Sequence, residues 1–203
     1  MKKSLHIDLD YVFGEPISIS ETKLQPWLII PKGELMRYHN QSAQACLQQF
    51  DGLIGYINLL NLEIQTSIAI PVQVKRTDIH IFYVITDGEA IQIRDLQQEI
   101  SYSISSNRGR YFYLAPGDYE LLVPAGRYTI VNFYFRGSIF RDGNERPFQF
   151  LHPLIAAYRQ QDPQACGSID FRVGPRTILL MKTIMANIKK GDLDSEVNIL
   201  WGI

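Results

Sequence analysis

The chain has 203 residues, 46% hydrophobic and 20% charged, which suits one large globular domain or a domain with an appendage. Twenty Lys and Arg against 21 Asp and Glu leave a net charge of −1, without the basic excess by which proteins hold nucleic acid through its phosphates. Cys46 and Cys166 are too few for a disulfide framework, His6, Asp8 and Asp10 interrupt any N-terminal signal core, and no run reaches the roughly 18 apolar residues of a membrane span, so a cytoplasmic protein is expected.

Strand patterns run from Ser4 to about Arg136. Apolar and polar residues alternate in Leu5–Leu9, Ile17–Ser20 and Tyr102–Ser105. The fuller apolar run Ile79–Ile85 predicts a central strand covered on both faces, and Tyr128–Phe135 predicts another, rich in β-branched and aromatic residues. Turn signals separate them at Asp87-Gly88, Asn107-Arg108-Gly109, Pro116-Gly117-Asp118 and Pro124-Ala125-Gly126. Many short strands at this spacing predict an antiparallel sandwich or barrel. After Pro153 the period becomes helical, with Leu154, Ile155 and Tyr158 on one side and Asp162-Pro163 as the stop. Pro175 opens a better helix, in which Ile178, Met181, Ile184, Met185 and Ile188 form one apolar stripe that ends at Gly191. A last helical segment is expected to carry Leu193, Val197, Leu200 and Trp201.

The sharpest motif is Gly117 through a strand to Pro124-Ala125-Gly126, then Thr129 and Asn132. It resembles the second conserved motif of the cupin family, in which a metal-binding His follows Pro-x-Gly by three positions. Thr129 takes that position here. Counting back from Gly88, the first cupin motif puts Lys75 and Thr77 at its paired His positions and Ile81 at its Glu position. A lysine, two threonines and an isoleucine do not replace three imidazoles and a carboxylate, so no metal or other cofactor is expected. His80 stands alone on its strand. No Gly-x-Ser-x-Gly, phosphate-binding glycine loop or His-Glu-x-x-His is present, and catalysis is not expected.

With these motifs, and with Tyr113–Tyr119 and Leu122–Gly126, the chain resembles the metal-free cupin-like N-terminal sensory domain of AraC-type bacterial transcription regulators. The resemblance implies a mainly β fold: a cupin-like antiparallel barrel (a double-stranded β-helix or jelly roll) over residues 1–145, followed by C-terminal α-helices over 146–203 that link or dimerise. It implies an effector-sensing role for a homodimer, with DNA bound only through a domain not present in this chain. The motif count puts Ile81, Tyr83, Thr129, Val131 and Phe133 on the barrel interior as an effector lining, with Lys75, Arg127 and His80 as polar candidates. Met181, Ile184, Met185, Ile188 and Trp201 are the dimerisation candidates, the stripe packing either on its own barrel or on a second subunit. Two other readings stand beside the sensor: an interaction module with a filled barrel, and a cupin enzyme with a shifted site.

Overall fold

The computed structural model describes residues 3–17, 24–53, 55–135, 149–189 and 191–192. Its strands are β1 (Leu5–Ile7), β2 (Glu34–His39), β3 (Ala43–Asp51), β4 (Gly55–Ile64), β5 (Ile68–Val74), β6 (Asp78–Thr86), β7 (Ile91–Asp95), β8 (Ser101–Ile104), β9 (Arg108–Leu114), β10 (Gly117–Val123), β11 (Gly126–Phe135) and β12 (Cys166–Arg172). The helices are α1 (Asp10–Phe13), α2 (His152–Gln160) and α3 (Pro175–Asn187). Two antiparallel sheets face one another, a five-stranded one in the order β1-β5-β10-β7-β8 and a seven-stranded one in the order β12-β9-β6-β11-β4-β3-β2. The expected mainly β architecture with C-terminal helices is therefore present.

The two sheets obey different burial rules. In the small sheet, β7 alternates strictly between buried and exposed residues, because only one face meets the core. In the large sheet, β4 and β6 are buried almost throughout, because a second layer covers their outer face. Between the sheets lie Tyr56, Leu60, Phe82, Phe112, Tyr119 and Ile130. On the outer face of the large sheet, Ile57, Leu59, Ile81, Tyr83, Val131 and Phe133 pack with Met181, Ile184 and Met185 of α3, with Ile188 just after it, and with Leu28 and Ile30. Next to them, Leu154, Ile155 and Ala157 of α2 cover Ile79 and Tyr113.

Both helices after Pro153 and Pro175 form as expected, each with its proline in the first turn, where the missing N–H leaves no intrahelical bond unmade. The segment between them is not purely helical. β12 adds to the edge of the large sheet beside β9, with a register shift between Gly167 and Asp170. A side chain at Gly109 would meet the Phe171 ring at 2.5 Å and the Tyr83 ring at 2.8 Å, so glycine there is what admits the Tyr83–Phe171 edge contact. Gly126, at φ +145°, makes the turn that sends the chain from β10 into β11. Ser18–Ser20, the 145/146 boundary and the segment carrying Leu193, Val197, Leu200 and Trp201 lie outside the described residues. Among the described residues no helix is long and apolar enough to cross a membrane.

Candidate functional site

The register of β4, β11 and β6 builds a polar row into an otherwise apolar face. Thr129 pairs with Asn61 on one side and with Ile85 on the other, and one step away Arg127 pairs with Glu63. Alternation along each strand puts Asn61, Glu63, Ile85, Arg127 and Thr129 on the outer face of the large sheet, at the end α3 leaves uncovered. Leu24, Gln25 and Trp27 close the space from the side, giving a crevice of about 480 Å³.

Its polar groups form a directed relay. The Trp27 indole Nε1–H donates to Thr129 Oγ1 at 2.8 Å, and the Thr129 hydroxyl donates to Asn61 Oδ1 at 2.9 Å. There the chain stops, because the buried Asn61 Nδ2 has no partner. Turning the amide over would offer Nδ2 to Thr129 and strand Oδ1 instead, so either orientation leaves one amide atom open. Asn61 is only 4% exposed, and an unpaired buried amide group costs about 1–3 kcal/mol. At the rim, Arg127 Nη2 donates to Glu63 Oε1 at 2.8 Å across an exposed pair. The floor is fixed by Thr86, whose hydroxyl donates to the Arg127 carbonyl at 2.6 Å, and by Asn107, whose amide donates to the Thr86 carbonyl at 3.0 Å. Above Trp27, Lys182 Nζ of α3 stands 5.1 Å from the indole centroid.

The structure corrects the expected interior lining. Ile81, Tyr83, Val131 and Phe133 are on the opposite face of their strands, buried beneath α3. Tyr83 meets Phe133 and Phe171 edge to face, and burial pushes its phenol pKa well up. The interior is faced instead by His80, Phe82, Tyr128, Ile130 and Tyr134, one residue out of phase in both strands. Thr129 and Arg127 do come together, but in the outer crevice. Lys75 is exposed just after β5, its backbone N–H on the Ser4 carbonyl. His80 is completely buried, with neither ring nitrogen hydrogen-bonded.

The stripe expected at a dimer interface has a partner within the chain, since Met181, Ile184, Met185 and Ile188 are buried against their own sheet. Trp201, the fifth candidate, lies outside the described residues. Among the described residues no group of three or more His, Cys, Asp or Glu could hold a metal ion, and Lys75, Thr77, Ile81 and Thr129 supply no donor set that fits one. Cys46, the register partner of Asn61 on β3, is fully buried and its thiol is pushed up by burial, which suits a packing role.

Trp27 and Asn61 escape a reading of the sequence by motif. The available signal was the polar residue in Leu59-Leu60-Asn61-Leu62, a second amide after Asn58 inside a mostly apolar strand.

No protein-family model matches the chain, and no curated protein does. Among solved structures it is similar to the AraC-like transcriptional activator CuxR, at 7% identity and a TM-score of 0.42, over 79% of this chain and 53% of that one. It is similar to apo ToxT from Vibrio cholerae, at 11% identity and a TM-score of 0.39, over 81% of this chain and 54% of that one. An oxalate decarboxylase is similar too, at 7% identity and a TM-score of 0.36, over 54% of this chain and 29% of that one. The chain thus spans about half the length of the two regulators it matches. Regulators and an enzyme appear together at these scores, and neither the activity nor the ligands of any of them transfer to this chain.

Proposed function

We propose that this chain is an effector-sensing domain of a bacterial transcription regulator that binds a small molecule in the outer-face crevice and does no chemistry on it. The observation that carries the reading is the relay from Trp27 through Thr129 to the buried, unpaired amide of Asn61. It is a buried hydrogen-bonding group retained, at a cost in stability, on the wall of a crevice of small-molecule size. The same crevice adjoins α3: Lys182 rests on Trp27, and Leu28, next in sequence, packs in the cluster that holds α3. Occupancy that moves the indole would therefore act on the C-terminal helix, the element through which a sensor passes its signal on. In this reading DNA contact belongs to a different domain.

A panel of neutral polyols, carboxylates, alkylammonium ions and planar aromatics tests it by thermal unfolding. At least one compound should raise Tm saturably, and Thr129→Phe or Trp27→Ala should abolish the rise. The packed space between the sheets supports a second reading, an interaction module without ligand. If no compound of any class raises Tm, that second reading replaces the sensor.

A further inference from the structure

β12 closes one end of the large sheet, and no described strand lies beyond it. We infer that a second copy of this chain docks on this edge as an antiparallel strand, about a twofold axis at Phe171 that sets Asp170 against the partner's Arg172 and Arg172 against the partner's Asp170.

The backbone phase permits that register. The Val173 N–H donates to the Asn107 carbonyl at 2.9 Å, and Phe171 is the register partner of Gly109 two steps back. Alternation then turns the N–H and C=O of Asp170 and Arg172 away from β9, toward the open edge. Residues that face each other in this phase exchange both backbone hydrogen bonds, as Asp170 and the partner's Arg172 would. The register shift between Gly167 and Asp170 limits the pairing on its other side. There Ser168 fills the gap: its Oγ accepts from the Tyr111 N–H at 3.1 Å and donates to the Ile169 carbonyl at 2.7 Å. The stretch on offer is short, and a twofold axis within it uses the edge up in a closed pair. The opposite edge of the sheet is less open, since the Ile17 N–H donates to the Arg37 carbonyl of β2 at 2.8 Å.

The side chains select a second copy. Arg172 and Arg108 are direct register partners, and like charges set opposite each other on neighbouring strands destabilise the pair. Asp170 lies opposite Arg110, whose guanidinium is drawn instead to the Ser168 and Ser103 carbonyls, at 2.7 and 3.2 Å. Among the described residues neither Asp170 nor Arg172 has an ion-pair partner, and both are exposed. The twofold register answers both at once. Each arginine gains a carboxylate on the side away from Arg108, and each aspartate gains a guanidinium. Ile169, 73% exposed, comes opposite the partner's Val173, and Phe171, half-buried against Tyr83 and Tyr111, lies at the axis. A contact of this length falls short of the roughly 1,000 Å² of a stable interface, so the dimer is weak and concentration-dependent.

Sedimentation equilibrium of the full chain over a concentration series is expected to show monomer and dimer in exchange. Asp170→Arg and Arg172→Asp each set like charges face to face in two symmetry-related pairs, and each should weaken the dimer about tenfold or more. Both residues are exposed, so the circular dichroism and the Tm of dilute monomer should stay those of the parent. Two restorations follow from the symmetry. Combining Asp170→Arg with Arg172→Asp reverses both charges and should dimerise like the parent. An equimolar mixture of the two single variants should form a heterodimer, because one chain supplies two arginines and the other two aspartates. A parent that stays monomeric at millimolar concentration overturns the inference, and so does a dimer that the single variants leave intact. Loss in the single variants without recovery in the double variant and in the mixture overturns it too. None of these variants touches the crevice, so the sensor reading stands or falls separately on its own ligand panel.

Discussion

At pH 4 the domain is expected to be about 3 kcal/mol less stable than at neutral pH through His80 alone. The imidazole is completely buried on the inner face of β6, its ring centroid 5.0 Å from that of Tyr134 and 6.5 Å from that of Phe82, with no hydrogen bond to either nitrogen. Burial alone lowers its pKa from 6.5 to about 3. In the unfolded chain the ring takes up its proton near pH 6.5, whereas in the folded chain it resists until about pH 3. The unfolded state binds more protons between those values, so stability is full above about pH 6.5 and falls as the pH drops toward 3. Urea unfolding at a series of pH values in this window measures the slope. His80→Phe keeps a flat ring against Tyr134 and removes both unpaired nitrogens, and it should flatten the acid limb while holding or raising stability at neutral pH. An acid limb unchanged in His80→Phe would assign the loss to carboxylates and sink this account.

How far the sequence could be read depended on which sheet a strand joined. In β10, Tyr119, Leu121 and Val123 face the core while Asp118 is exposed, and the polar residues declare the phase. In β6 both phases are apolar: His80, Phe82 and Val84 face inward, and Ile79, Ile81, Tyr83 and Ile85 face outward under α2 and α3. A strand buried on both faces keeps its position legible and loses its orientation. The motif count then had to supply the orientation, and it slips by one residue in both β6 and β11. Asn132 registers the slip. It is buried on the inner face of β11, where its Oδ1 accepts from Asn58 Nδ2 at 3.1 Å, so the inward set on that strand is Tyr128, Ile130, Asn132 and Tyr134 rather than Thr129, Val131 and Phe133.

The same two-sided burial explains the other displaced expectations. A stripe such as Met181–Ile188 says that a helix face is covered, not by what, and the large sheet takes it here. β12 escaped notice because Cys166–Arg172 alternates weakly, with Gly167 and the register shift breaking the period. Trp27 is invisible to periodicity because it lies outside any strand or helix and is fixed by one side-chain hydrogen bond to a strand about a hundred positions away in sequence.

Met185→Ala is expected to lower the stability of the monomer by about 2–5 kcal/mol, the cost of truncating a large buried side chain. Met185 is wholly buried where α3 lies against Ile81, Tyr83, Val131 and Phe133, and truncation leaves a void between a rigid sheet and a helix of 13 residues. The helix also has no side-chain hydrogen bond at its N-cap, so tertiary packing carries most of its stability. Leu179, on the same helix but 66% exposed, gives the control: Leu179→Ala should stay within about 0.5 kcal/mol. Combining Met181→Ala with Met185→Ala should loosen α3 and uncover the apolar face beneath it, so that the variant self-associates more than the parent. A dimer interface built on this stripe predicts the reverse. There, Met185→Ala would abolish self-association and leave the unfolding midpoint of dilute monomer untouched. Urea unfolding paired with sedimentation therefore separates the two roles, and a midpoint unmoved by Met185→Ala would return the stripe to a second subunit.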